Sequence, residues 1–397
     1  MAGIGVGRRV ALPVITCAAL TVGCAMAGCG APSQAASRPQ TLVSKHSVAS
    51  RPLASVSLTA AGMPSYLADI VRVSGSVAGA GPLQIRSSGT GALVPHQPAI
   101  EALAIAAYDG GSRLVVARQA GDRCASRLYR ATLNADGRLG ALTRLGPVIH
   151  GIVTSVATDT AGSTIGYFAG PCSKSASGYL AVLTASNGLL RRWTGVAVYG
   201  SGGTVVTGTA LSESANGSLL AFTGAATGAG GQITGQRVWV LRTSAASGPL
   251  VRRIRAVISK PLTGPALSSV VLSPDGRSFY LCTVRTKGTV SAHKTVTQTA
   301  VITARQTSDG ASTSTVAKLT ATGVTFLGEG FGCPMALTPN GRYLMAPYQL
   351  RYGNSSTVPP LVRAAVIRTS THARLAMSFR LPGSAGMSVA DGITVAW

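Results

Sequence analysis

The side chains best suited to acid–base and metal chemistry are few in this 397-residue chain: five histidines, seven cysteines and eleven carboxylates. His46, His96, His150, His293 and His372 form neither an HExxH motif nor an i, i+4 pair, so no helical metal site is spelled out. His46 falls in a Ser/Ala/Pro-rich segment and the other four in expected loops. No GxSxG elbow offers a hydrolase serine, and no GxxxxGK[ST] loop offers a phosphate cradle. The glycine-rich stretch 224–235 opens no helix and reads as a loop. Asp109, Asp159, Asp275 and Asp391 sit in short turns, where a carboxylate ordinarily accepts backbone N–H groups. Asp69, Asp122 and Glu329 fall outside those turns. Glu329, in Leu-Gly-Glu-Gly-Phe-Gly, stands in a Gly-rich connection between repeats and is the acidic residue with the best claim to a binding role. The expectation is no catalytic residue, no cofactor and no metal.

The elements that would position these residues repeat along the chain. Six segments pair an apolar run with a polar turn and a second apolar run: LAIAAYDGGSRLVVA, VATDTAGSTIGYFA, ALSESANGSLLAFT, VVLSPDGRSFYLC, MALTPNGRYLMAP and MSVADGITVAW. Their turn glycines would be Gly111, Gly162, Gly217, Gly276, Gly341 and Gly392, spaced by 51 to 65 residues. The flanking runs are short and rich in β-branched and aromatic residues, as strands are. A second hairpin follows each of the first five, for example YLAVLTASNGLLRRWT. LQIRSSGTGALV stands alone before the first, and nothing follows the last. Two incomplete ends that complement each other are what a closed ring leaves in a sequence. The reading is all-β: a single β-propeller of six four-stranded blades, closed by pairing of N- and C-terminal strands. A seventh blade arises if Pro64 to Val73 belong to an extra unit, and Ile393 to Trp397 fit either a first or a second strand. A pair of β-sandwiches would need a boundary near Tyr199–Gly203, which the repeat crosses without interruption.

The turns Ser273-Pro274-Asp275-Gly276-Arg277 and Thr338-Pro339-Asn340-Gly341-Arg342 resemble the SPDGR turns of WD-repeat-like and TolB-like propellers. The region 60–397 is similar to exported actinobacterial propellers of unknown function in its Pro64-Ser65-Tyr66 opening, its Trp193-Thr194-Gly195 segment and its trailing Val-Ala-Trp. The resemblance implies a fold and no activity. The Gly-His and Trp-Asp dipeptides of true WD repeats are absent.

Cys124, Cys172, Cys282 and Cys333 lie within the repeats, and four cysteines allow three connectivities. Cys124 and Cys172 both follow the second strand of successive copies, which suggests a disulfide between them. Cys282 and Cys333 are also about one repeat apart, and a second bond would join them. Four buried thiols are the alternative.

The chain opens with Arg8-Arg9 and the apolar stretch Val10 to Ala27, which fits a cleaved export signal better than a spanning helix. Met26-Ala27-Gly28-Cys29 resembles the bacterial lipobox, which implies cleavage after residue 28, lipidation of the Cys29 thiol and anchoring at the outer face of the cell membrane. Cys24 is a second candidate; ordinary secretion with cleavage near Ala35 is the alternative, and the arginine pair leaves Sec and twin-arginine export both open. Residues 29–60 then form a Ser/Ala/Pro-rich tether with a span of roughly 30 Å, and 61–397 the propeller.

The formal charge is +24, from 35 basic and 11 acidic residues. It suits an anionic surface or polymer of the cell envelope, or reflects arginines spread over solvated strand faces. The longest segments between second and third strands carry Lys287, Lys294, Arg351 and Tyr352. With Glu329 they mark a possible binding face, since these loops and the blade-to-blade connections share one side of a propeller. Two functions follow. One is a monomeric, non-catalytic module that binds a protein or anionic polymer, with no nucleic acid partner. The other is a hydrolase or lyase of an envelope glycan or ester. Carboxylates with His or Arg at the channel mouth would favour the enzyme; a channel of Ser, Thr, Ala and Val would favour the binding module.

Overall fold

The computed structural model describes residues 63–73, 80–121, 124–171, 177–196, 211–227, 233–258, 269–287, 296–323, 333–351, 361–380 and 390–397. Cys29 and the segments expected to form the export signal and the tether lie outside them. Strands β1 (Tyr66–Val73), β2 (Gly81–Ser87) and β3 (Glu101–Ala102) form blade 1, whose innermost strand is supplied by β25 (Ala390–Ala396). Blade 2 is β4 (Ala104–Tyr108), β5 (Arg113–Gln119), β6 (Ala125–Thr132) and β7 (Thr143–His150). Blade 3 is β8 (Ile152–Thr158), β9 (Thr164–Gly170), β10 (Gly178–Thr184) and β11 (Leu190–Val196). Blade 4 is β12 (Leu211–Glu213), β13 (Leu219–Thr227), β14 (Ile233–Arg242) and β16 (Arg255–Ala256), with β15 (Gly248–Pro249) crossing over to lie parallel to β11 of blade 3. Blade 5 is β17 (Ser269–Leu272), β18 (Ser278–Lys287), β19 (Val296–Gln306) and β20 (Ser312–Gly323). Blade 6 is β21 (Ala336–Leu337), β22 (Tyr343–Arg351), β23 (Leu361–Arg368) and β24 (Arg374–Arg380).

The fold is therefore an all-β six-bladed propeller. Residues 66–73 are the second strand of blade 1 and found no seventh blade. Gly392 is not a turn glycine: it pairs with Arg72 inside the β25–β1 ladder, and Ile393 to Ala396 continue the innermost strand, with Trp397 just beyond it. The apolar–Gly–apolar pattern of MSVADGITVAW is thus one strand crossing a bulge, not a hairpin.

Period-two side-chain direction explains the apolar runs. Along β5, Leu114 and Val116 pack against blade 1, while Val115 and Ala117 pack against blade 3. A middle strand buried on both faces reads as continuously hydrophobic. Three further clusters of this kind fill the spaces between blades 3 and 4, 4 and 5, and 5 and 6, as where the Phe168 and Phe222 rings of blades 3 and 4 meet edge to face at 5.3 Å. The inter-blade approach is closest at the turns between first and second strands. Gly162 has φ +67°, and a Cβ there would lie 2.4 Å from the Tyr108 ring of the preceding blade. A side chain would be both strained and overpacked.

The expected Cys282–Cys333 disulfide is present, with Cα atoms 5.9 Å apart, joining β18 of blade 5 to the segment that leads into blade 6. Cys124 is disulfide-bonded too; Cys172 lies outside the described residues.

Closure of the ring rests on the β25–β1 ladder, from Ala68 opposite Ala396 to Val73 opposite Ala390. Trp397 caps it: its buried indole N–H donates to Ser88 Oγ at 2.9 Å. Beneath the ladder, the buried Asp69 of β1 accepts from Arg86 Nε at 2.7 Å, and Arg86 also donates to Gly91 O and Gln84 Oε1. Burial pushes the Asp69 carboxyl up to about 6, against the pull of Arg86.

Two substitutions test this packing. Trp397→Ala should lower the unfolding free energy by about 3–5 kcal/mol, whereas Trp397→Phe, which loses the hydrogen bond to Ser88 and part of the ring, should cost clearly less in urea titrations. Gly162→Ala should cost about 2 kcal/mol or more with an unchanged far-UV circular dichroism spectrum; a neutral result would mean that the turn relaxes away from Tyr108.

Candidate functional site

The innermost strands β4, β8, β12, β17, β21 and β25 together enclose a central channel containing a cavity of 140 Å³. Its wall is mainly small or apolar, with Ala107, Val156, Leu211, Val271, Leu337 and Val395 contributed one from each blade. Among the described residues, the lining carries no histidine, arginine, lysine or cysteine; its titratable groups are Asp159 and Glu213.

One rim of the channel is built from the turns that close each first hairpin. The Asp109 N–H donates to Thr160 O at 2.9 Å, Thr160 N–H to Ala215 O at 3.1 Å, and Ala215 N–H to Pro274 O at 2.9 Å. These residues occupy the same place in successive turns, two before the glycine. Pro274 and Pro339 hold that place in blades 5 and 6 and have no N–H to donate, so the belt ends there.

Asp159 does what a turn carboxylate is expected to do. Its Oδ1 accepts the Ser163 N–H at 2.7 Å, and its Oδ2 accepts the Ser163 hydroxyl. Asp275 likewise accepts from Arg277 N–H at 3.1 Å and from Ser273 Oγ at 2.6 Å, and these bonds hold its carboxyl below the usual range. Asp109 departs from the pattern, because its carboxylate faces Arg113 at 3.3 Å instead of a backbone N–H. Asp391 lies within β25, not in a turn.

Glu213, which the sequence reading did not single out, is the unusual group. It ends β12 and is buried, with Oε1 accepting from Thr164 Oγ1 of blade 3 at 2.8 Å and no hydrogen bond to Oε2. Burial pushes its carboxyl up to about 8, and the charge on Asp159 adds to the rise. It therefore carries a proton at neutral pH. Chemically this is a neutral strut between blades 3 and 4. A general acid has to reach the reacting atom, and Oε2 is sealed from solvent. Its sequence signal was weak: it looks like any polar residue at the end of an edge run, and only the neighbouring blade removes water from it.

Of the residues predicted for the binding face, Lys287 and Arg351 fall at strand ends opposite the first-hairpin turns. Lys287 ends β18 and Arg351 ends β22, so the backbone places them at corresponding positions of blades 5 and 6. Their side chains are not among those described; Glu329, Lys294 and Tyr352 lie outside the described residues. His96 and His372 occupy loops with positive φ, as the loop reading expected, while His150 ends β7 and is strand, not loop. His46 and His293 lie outside the described residues.

A scan against protein-family models finds no match, and neither does a search of the curated proteins. Solved structures do resemble the chain. The periplasmic gluconolactonase PpgL of Pseudomonas aeruginosa is 14% identical with a TM-score of 0.44, covering 80% of this chain and 97% of that one. The Cps50 β-propeller domain of Myceliophteria thermophila is 12% identical with a TM-score of 0.37, covering 79% and 87%. The Synechocystis apocarotenoid oxygenase is 10% identical with a TM-score of 0.37, covering 82% and 73%.

The raised Glu213 carboxyl has a signed consequence. The folded protein holds a proton that the unfolded chain releases above about 4.5, so the stability contribution is full at low pH and is lost as pH rises through about 8. Between pH 6.5 and 8, where Asp69 is already ionised, the wild type should lose about 1.5 kcal/mol that Glu213→Gln does not lose. Urea titrations across that range read the difference directly; parallel curves would mean that Glu213 titrates normally.

Proposed function

We propose that this chain is an exported, surface-anchored β-propeller that binds a protein or an anionic polymer of the cell envelope and performs no catalysis. The lipobox-like Met26-Ala27-Gly28-Cys29 supports a lipid anchor at Cys29, and the segment 29–60 supports a tether that holds the propeller near the membrane. The SPDGR-type turns support kinship with exported, WD-repeat-like propeller lipoproteins. A monomer with no nucleic acid partner fits this picture. The observation that carries the reading is the channel wall: largely Ala, Val, Leu, Ser and Thr, with Asp159 spent on its own turn and Glu213 on the blade interface. Binding then falls to the outer faces, where a charge of +24 favours anionic partners.

A hydrolase or lyase acting in the funnel is the second reading. One observation favours it: a carboxyl that keeps its proton at neutral pH lines the cavity. Such an enzyme would lose turnover on Glu213→Gln, and the binding module would not lose its partner.

The anchor is tested by phase partitioning of membranes from expressing cells. Wild type should enter the detergent phase and Cys29→Ala the aqueous phase; equal partitioning of both would remove the lipid anchor from the proposal. A pull-down from envelope extract at low and high salt tests the binding role. Partners that survive high salt support a specific surface, and loss of all partners at high salt reduces the charge to nonspecific attraction.

A further inference from the structure

Beside the arginines paired with carboxylates, two further sets stand out. One set is engaged across blades by neutral carbonyls. Arg191 of blade 3 donates to Thr243 O of blade 4 at 2.9 Å, and Arg255 of blade 4 donates to Ser308 O and Thr307 O of blade 5 at 2.7 and 2.8 Å. Arg374 of blade 6 donates to Lys318 O of blade 5 at 3.1 Å. Such bonds hold the ring together without neutralising charge.

The second set stands on the turn side of blades 5 and 6. The two turns there are held alike. Ser273 Oγ accepts Ser278 N–H and Thr338 Oγ1 accepts Tyr343 N–H, both at 3.0 Å; Asp275 accepts Arg277 N–H and Asn340 accepts Arg342 N–H at 3.1 and 3.0 Å. In each blade the following turn is tied down by a matching bond, Thr307 N–H to Arg277 O and Thr369 N–H to Arg342 O. The turns also touch, since a Cβ on Gly341 would lie 2.9 Å from Pro274. Arg277 and Arg342 are therefore launched from equivalent, rigid positions on neighbouring blades. Both are exposed, and neither guanidinium makes a hydrogen bond or ion pair among the described residues. Exposed Arg368 adds a third cation on blade 6, held over the Tyr343 ring at 5.7 Å and donating to the Tyr343 hydroxyl at 3.2 Å. Against these stand Asp275 and Asp309 of blade 5; in blade 6 Asn340 replaces the turn carboxylate. Blades 2, 3 and 4 carry Ser112, Ser163 and Ser218 where blades 5 and 6 carry the arginines.

We propose that the turn side of blades 5 and 6, through Arg277, Arg342 and Arg368, grips a linear polyanion whose phosphate or carboxylate groups recur along the chain. This rests on the polymer-binding reading above and moves the contact to the side of the ring opposite Lys287 and Arg351. Guanidinium forks pair with the two oxygens of phosphate or carboxylate. A row repeated from blade to blade suits a ligand whose charges also repeat, and the turns fix the spacing before binding, which lowers the ordering cost.

The test uses the full chain in detergent and titrates it with long-chain polyphosphate and with polygalacturonate from 50 to 300 mM salt, the two polymers separating phosphate from carboxylate recognition. Arg277→Ser/Arg342→Ser installs the residue that the other blades use at this place. It should weaken binding at least tenfold and lower the salt dependence of log K by roughly one to two, with an unchanged melting temperature. Lys287→Ser/Arg351→Ser should leave binding as in wild type. Loss in the second variant alone, or equal loss in both, overturns this site while the polymer-binding reading stands. No binding of either polymer by wild type overturns the polymer reading itself, and tighter binding to phosphatidylglycerol vesicles than to both polymers overturns it in favour of a lipid surface.

Discussion

The β25–β1 ladder is the constraint on which everything else depends. A blade has two apolar faces and needs a neighbour on each side, so a row of blades always ends with exposed core unless it is bent into a ring. Here the two ends of the repeat region meet inside one sheet. The innermost strand comes from residues 390–396 and the next from 66–73. The seal is reinforced where it could slip. Trp397 is tied to Ser88, and the buried Asp69–Arg86 pair sits under the ladder with Gln84 and Gly91 O completing the arginine's bonds. A buried pair of this kind adds little net stability over an apolar packing but punishes a wrong register heavily, because misalignment strands a charge.

The same closure shapes the channel and the outer face differently. Six first strands converge on the axis, and they line it with Ala, Val, Leu, Ser and Thr side chains together with Asp159 and Glu213. The polar groups that do reach the axis are consumed in holding blades to each other: the belt of turn backbone bonds, the Asp159 cap, and Glu213 against Thr164. Chain charge is pushed outward. There arginine serves as an inter-blade tie to backbone carbonyls, a role that needs no carboxylate partner. A chain with 35 basic and 11 acidic residues can thereby build stable interfaces and still present a strongly positive surface.

Much of the fold was legible because the repeat is legible. Turn glycines at 111, 162, 217, 276 and 341 and the apolar runs around them mark five blades directly, and the unmatched ends imply the sixth by closure. The Cys282–Cys333 bond followed from the same spacing. The misreading of Gly392 has a simple cause: a glycine between apolar runs fits a tight turn and a bulged strand equally well, and only the partner strand distinguishes them.

What the sequence by itself determined is whatever depends on short-range pattern: the all-β class, a ring of six or seven repeats, the turn carboxylates Asp159 and Asp275, and the excess of arginine. The tertiary structure decided what depends on neighbours far apart in the chain. It made a neutral group of Glu213, because blade 3 removes water from it, and it brought Trp397 to Ser88 across 309 residues. It also set the turns that carry Arg277 and Arg342 against each other, whereas in the sequence they are merely two arginines after two glycines. The physical reason is one and the same. Local hydrogen bonding is written within a few residues, while desolvation and charge proximity are properties of a closed ring.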